Sequence, residues 1–144
     1  MIRYKIGLAL SGGSIKGFAH LGVLQYMDEI GLKPDIIAGT SAGAIMGAFY
    51  ADGYSPKEIF EIFSSVGFRG MTSLLPKRGG MFSTKNFMER LKTYLHHQNI
   101  EELPIPLRIV ATDLDNGCQH VFSEGALAER IMASCSVPVL FQPV

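Results

Sequence analysis

The stretch from Asp35 to Asp52, Asp-Ile-Ile-Ala-Gly-Thr-Ser-Ala-Gly-Ala-Ile-Met-Gly-Ala-Phe-Tyr-Ala-Asp, constrains the fold more than any other. Its first residues form a short apolar run. It then meets Gly39-Thr40-Ser41-Ala42-Gly43 and continues as a series of small residues. The pattern predicts a strand that turns sharply into a helix. A turn that tight strains its middle residue and leaves no room for side chains on either side, which accounts for glycine at 39 and 43. Ser41 Oγ would stand exposed beside the free N–H groups of a helix N-terminus, where negative charge is favoured. This is the form of a nucleophile elbow; the plain alternative is a Gly/Ser turn that only packs tightly.

The rest of the chain fits that start. Tyr4 to Leu10 is predicted as a strand that feeds directly into Ser11-Gly12-Gly13-Ser14-Ile15-Lys16-Gly17. A helix follows from Gly17 to Ile30, with Phe18, Leu21, Leu24 and Met27 on one face, and Gly31 and Pro34 end it. Ile36 to Ala38 is the second strand. Strand, helix, strand and helix in so few residues imply parallel pairing with a right-handed crossover. Both glycine-rich turns then lie at the carboxyl edge of the sheet, where open α/β sheets bind ligands.

Beyond the elbow helix, Ser55, Pro56 and Glu58 form a helix-start signal, and a helix is expected through Val66. Residues 67–81 mix apolar side chains with glycines and basic residues. They read either as a cap over an acyl-binding groove or as a surface connection. Ser83 opens a helix from Thr84 to His97, Leu107 to Thr112 is a central strand, and Asp113 to Gly117 is a turn leading to a hairpin partner at Gln119 to Phe122. A last helix runs to Ala133. No internal repeat is present.

A chain of 144 residues fits a single domain with a real core. Thirteen basic and thirteen acidic residues cancel, so no electrostatic footprint points to nucleic acid or anionic headgroups. The N-terminal apolar run is too short for a signal peptide or a membrane span, and a cytoplasmic protein is the expectation. Cys118 and Cys135 lack metal-ligand spacing and read as reduced packing residues; no metal or cofactor is expected.

Acyl transfer by serine needs a nucleophile, a base and donors for the oxyanion. Ser41 supplies the first. The backbone N–H groups of Gly12 and Gly13 can approach a carbonyl oxygen closely, and losing one such donor typically costs about 3–4 kcal/mol of transition-state stabilisation. Lys16 adds positive potential on the same turn. With these residues in place, the run Leu10 to Leu24, the pentapeptide Gly39 to Gly43, the strand end Ala111-Thr112-Asp113-Leu114 and the segment Ala133-Ser134-Cys135-Ser136-Val137-Pro138 resemble a bacterial patatin-like phospholipase. The resemblance spans essentially the whole chain, 1–144. It implies a three-layer α/β/α sandwich with a mainly parallel central sheet, of which these residues are the N-terminal portion. It also implies lipid acyl hydrolysis by a Ser–Asp dyad without metal. Its oxyanion loop maps onto Gly12, Gly13, Ser14, Lys16 and Gly17, and its elbow onto Gly39, Thr40, Ala42 and Gly43 around Ser41. Ser14 stands where many members have a third glycine, and Lys16 where arginine is commoner, which keeps the charge but loses the planar fork.

The dyad aspartate of the family lies in an Asp-Gly-Gly or Asp-Gly-Ala motif beyond the Ser-x-Pro segment, and no such motif precedes Val144. The chain is therefore expected to be a fragment of a longer enzyme and to be inactive by itself, with a lipid or ester as substrate and transient membrane-surface contact; the sequence leaves the oligomeric state open. Two alternatives remain at this stage: a non-catalytic scaffold of the same fold, and a triad of Ser41, Asp113 and His120 in the order used by α/β-hydrolases. A nucleotide-binding loop fits less well. Gly17 is followed by Phe18 rather than by Lys-Ser or Lys-Thr, and Ser14 interrupts the dinucleotide fingerprint.

Overall fold

The structure, a computed structural model, describes the backbone of residues 4–71, 73–77, 80–83 and 85–136, and side chains outside 65–86. Strand β1 (Gly7–Leu10) leads through a 3-10 turn at Ser14–Gly17 into helix α1 (Phe18–Glu29). Strand β2 (Ile36–Thr40) leads into α2 (Ala42–Ala51), followed by α3 (Pro56–Met71). A hairpin of β3 (Ser73–Lys77) and β4 (Gly80–Ser83) precedes α4 (Lys85–Tyr94). Strands β5 (Leu107–Asp113) and β6 (Cys118–Phe122) and helix α5 (Leu127–Cys135) complete the order.

The main sheet has the order β1-β2-β5-β6. The first three strands are parallel and β6 is antiparallel. The parallel strands advance across the sheet in one direction, so right-handed crossovers deliver their helices to the same face. Accordingly α1 packs on α2 and α3, α2 lies across β2 beside β1 and β5, and α5 packs on β5, α2 and α4. Leu10, Ile37, Leu107, Ile109 and Ala111 point into that layer and are buried. The alternating Ala9, Ile36, Ala38, Val110 and Val121 are half-buried or exposed. The expected class, an α/β sandwich on a mainly parallel sheet, is what forms.

Local chemistry explains most boundaries. Ser55 and Glu58 cap α3 reciprocally: Ser55 N–H donates to Glu58 Oε2 at 2.8 Å and Glu58 N–H to Ser55 Oγ at 3.3 Å. The side-chain and backbone hydrogen bonds from Ser55 hold the Glu58 carboxyl below its usual range. The connection expected at 67–81 is instead more ordered in its backbone: α3 continues to Met71, and a two-stranded hairpin follows. Gly67 and Gly70 weaken a helix without forbidding it once the preceding turns are packed. The reading of this segment as a cap concerns side chains outside the described residues.

The far end of α2 is anchored by a buried carboxylate. Asp52 accepts from the backbone N–H of His96 at 2.7 Å and of His97 at 3.2 Å, and from His97 Nδ1 at 2.6 Å. These bonds tie the end of α2 to the turn after α4. Asp52→Ala strands those donors in a site from which water is excluded, so we expect a loss of about 2–4 kcal/mol in urea unfolding. Asp52→Asn, which keeps one acceptor oxygen, should lose less.

Candidate active site

The two glycine-rich turns meet at the carboxyl edge of β1 and β2. Leu10 lies opposite Gly39 in the register, so both strands end together and their helices start side by side. A Cβ placed on Gly12 would lie 3.4 Å from Ser41 Cβ. One on Gly17 would lie 2.6 Å from Ala42 Cβ. The elbow is tighter still: a Cβ on Gly39 would sit 2.6 Å from Gly43 O, and one on Gly43 only 2.1 Å from Leu10 O. Glycine at 17 and 43 is thus a packing requirement of bringing the first loop against the second, and glycine at 39 one of the elbow's own turn.

Ser41 has φ +51° and ψ −119°, a backbone region that only glycine occupies without cost. Such strain persists where the surroundings over-determine it. Ser41 O accepts the first bond of α2, from Ile45 N–H at 3.1 Å, which leaves the N–H groups of Ala42, Gly43 and Ala44 without helical partners. Among the described residues, neither Gly12 nor Gly13 N–H donates to a protein acceptor, and both glycines are exposed. Two helix N-termini, the exposed Lys16 and these bare amides make the edge electropositive, as a developing oxyanion requires.

Within the first loop, Ser14 has φ +51°. It therefore carries strain at the position where the resemblance has glycine. Lys16 N–H donates to Gly13 O at 3.0 Å, closing the 3-10 turn. His20 Nε2 donates to Ser11 O at 2.8 Å, a bond that ties loop to helix and commits this nitrogen to a carbonyl.

Asp113 and His120 are placed elsewhere in role. Asp113 Oδ1 accepts from the N–H groups of Asp115 and Asn116 at 3.0 and 3.1 Å, and Oδ2 from Asn116 Nδ2 at 2.7 Å. This is an Asx-type turn, and these bonds hold the carboxyl below its usual range. The His120 ring lies against Phe122 with centroids 4.4 Å apart. No hydrogen bond joins either residue to Ser41. Among the described residues, no cluster of three or more His, Cys, Asp or Glu is placed to hold a metal ion, and no helix is long and apolar enough to cross a membrane.

Sequence reasoning did not single out two residues that contact Ser41. Ser134 Oγ accepts from Ser41 N–H at 2.8 Å. Cys135 lies near enough to the Ser41 side chain for that hydroxyl to lower its thiol, but burial outweighs this and pushes the thiol up to about 12. Cys135 is thus a neutral thiol at physiological pH and does not compete as a nucleophile. Both cysteines are free. An apolar hollow of about 10 Å³ lined by Phe49, Phe63, Leu91 and Tyr94 lies further along α2; it has room for about one water molecule, not an acyl chain.

Known proteins resemble this chain in sequence and fold. The sequence model of the family described as patatin-like phospholipase matches residues 8–144. The chain is 33% identical to the patatin-like phospholipase domain-containing protein ZK370.4 of Caenorhabditis elegans, over 96% of its own length and 11% of that protein. It is likewise 33% identical to the NTE family protein Mb1092c of Mycobacterium bovis, over 96% of its length and 39% of that protein. The chain therefore spans well under half of these relatives. Its fold is similar to that of the type III effector protein ExoU, with a TM-score of 0.50 over 90% of this chain and 39% of that one, at 19% identity. With the match running from the first strand through both glycine turns to the end, the chain belongs to the patatin-like phospholipase family.

Proposed function

We propose that this chain carries the nucleophile and oxyanion site of a serine lipid acyl hydrolase. The single observation that supports it best is the strained Ser41 backbone, set within side-chain contact distance of a loop whose amides are uncommitted. In this reading the ester carbonyl carbon lies above Ser41 Oγ. Its oxygen faces the N–H groups of Gly12 and Gly13, joined by that of Ala42 at the head of α2. Attack forms the Oγ–carbon bond and moves the carbonyl electron pair onto oxygen, where these donors meet it. The hydroxyl proton passes to a base, and collapse expels the alcohol to leave an acyl-serine that water then hydrolyses.

The family resemblance implies that the base is an aspartate of an Asp-Gly motif C-terminal to Val144, which makes residues 1–144 one part of the catalytic unit. The engagement of both Asp113 oxygens in its own turn favours this over a triad. Turnover of a short-chain p-nitrophenyl ester should be at least about 10³-fold lower for residues 1–144 than for a chain extended through that motif. Equal, robust turnover by both would remove the external aspartate from the mechanism.

A further inference from the structure

The N–H groups of β2 that face β5 fall on alternate residues. Ile37 N–H donates to Pro106 O at 2.9 Å. The register then advances evenly, from Ile37 opposite Leu107 to Thr40 opposite Val110. At two residues per rung, the next donors are Gly39 and Ser41, and the acceptor due for Ser41 N–H is Val110 O. That rung is not made directly, because the elbow turns the Ser41 backbone out of the strand. Ser134 Oγ occupies it instead: it accepts from Ser41 N–H at 2.8 Å and donates to Val110 O at 2.6 Å.

A serine hydroxyl suits this place because it offers one proton and two lone pairs. With the proton committed to the Val110 carbonyl, a lone pair is left to face the Ser41 amide. The hydroxyl is also held from a distance. The start of α5 is fixed at the opposite edge of the sheet, where Ile100 N–H donates to Gly125 O at 3.0 Å and Leu127 N–H to Gln98 O at 2.8 Å. From that anchor α5 rises along β5, burying Leu127, Ala128, Ile131 and Met132, and delivers Ser134 in its last turn.

We propose that Ser134 is a positioning residue for the nucleophile, its hydroxyl standing in for the last rung of the β2–β5 ladder and so holding Ser41 out of the strand. The proposal rests on Ser41 being the nucleophile. Without the hydroxyl, Ser41 N–H and Val110 O either lose their partners or bond to each other. Direct bonding draws Ser41 back into β2 and takes Oγ away from the amides of Gly12 and Gly13. A displacement of about 1 Å at a reacting atom is worth about 10²-fold in rate.

The test is inactivation of the full-length protein by a fluorophosphonate probe over a range of concentrations, with the modified residue mapped by mass spectrometry. Ser134→Ala should lower kinact about 10²-fold, leave KI within about threefold and melt cooperatively, and Ser134→Thr, which keeps the hydroxyl, should recover most of the loss. A change confined to KI, a wild-type kinact in Ser134→Ala, or a threonine variant as slow as the alanine one would overturn the proposal. If Ser134→Ala does not fold, hydrogen exchange of the wild-type Ser41 amide decides: protection like that of β2 supports the bridge, and exchange at the rate of an open loop refutes it. Failure of the wild-type protein to label at Ser41 would instead overturn the nucleophile reading, and this proposal with it.

Discussion

Gly43→Ala is expected to destabilise the domain by more than about 3 kcal/mol, enough to abolish its cooperative urea transition or its soluble yield. The added methyl would lie 2.1 Å from Leu10 O, 2.5 Å from Leu10 C and 2.7 Å from Ser11 O. All three are backbone atoms of the last residue of β1 and the residue after it, and no rotamer change relieves them. The remedy is to push the first loop away from α2, which breaks the contact that assembles the site. Overpacking in ordinary cores costs about 1–3 kcal/mol where side chains can give way, so a backbone collision belongs above that range. Gly22→Ala serves as the contrast. Gly22 lies inside α1 with nothing within 4 Å of an added Cβ, and the gain in helix propensity should stabilise by about 0.5–1 kcal/mol. Equal effects from the two substitutions would show that the close approach of the loops is not what places glycine at 43.

The second large effect is chemical. In the full-length protein, Ser41→Ala should lower kcat for a p-nitrophenyl ester about 10⁴-fold or more, with KM changed by no more than a few-fold, because the oxyanion donors remain. Fluorophosphonate labelling should vanish. Ser41→Gly separates chemistry from architecture: glycine occupies φ +51°, ψ −119° without penalty, so this variant should be as inactive as the alanine one yet more stable than wild type, by about 1 kcal/mol. A glycine variant less stable than wild type would mean that the backbone at 41 stores no strain. Retained turnover in Ser41→Ala would place the nucleophile elsewhere.

Much of this was readable from residue patterns, for identifiable reasons. Ile36-Ile37-Ala38 and Leu107 to Thr112 are apolar runs bounded by turn residues, and each becomes a strand of the main sheet. Ser55, Pro56 and Glu58 act within a single turn of chain, so their capping role is local and visible. The segment beyond Val66 was harder, because its glycines weaken a helix only in the absence of tertiary support, and Pro76 argues against a strand that nevertheless pairs as part of a hairpin. The Ser134 bridge is least legible of all. Its partners are 93 and 24 residues away, and nothing in the run Ala133-Ser134-Cys135-Ser136 signals which of its two serines meets the elbow. That information lies in the register of β2 against β5, which exists only once the sheet has formed.

Nine of the ten residues of α2 are buried, and Asp52 locks its far end. Beyond its first turn, such a helix has no route to exchange its amide hydrogens except through global unfolding. Ser41, borne at its head, is correspondingly unable to swing toward a substrate. Any movement that admits a substrate to the proposed site must therefore come from neighbouring elements, and Ser41 should hold its conformation for the lifetime of the folded domain itself.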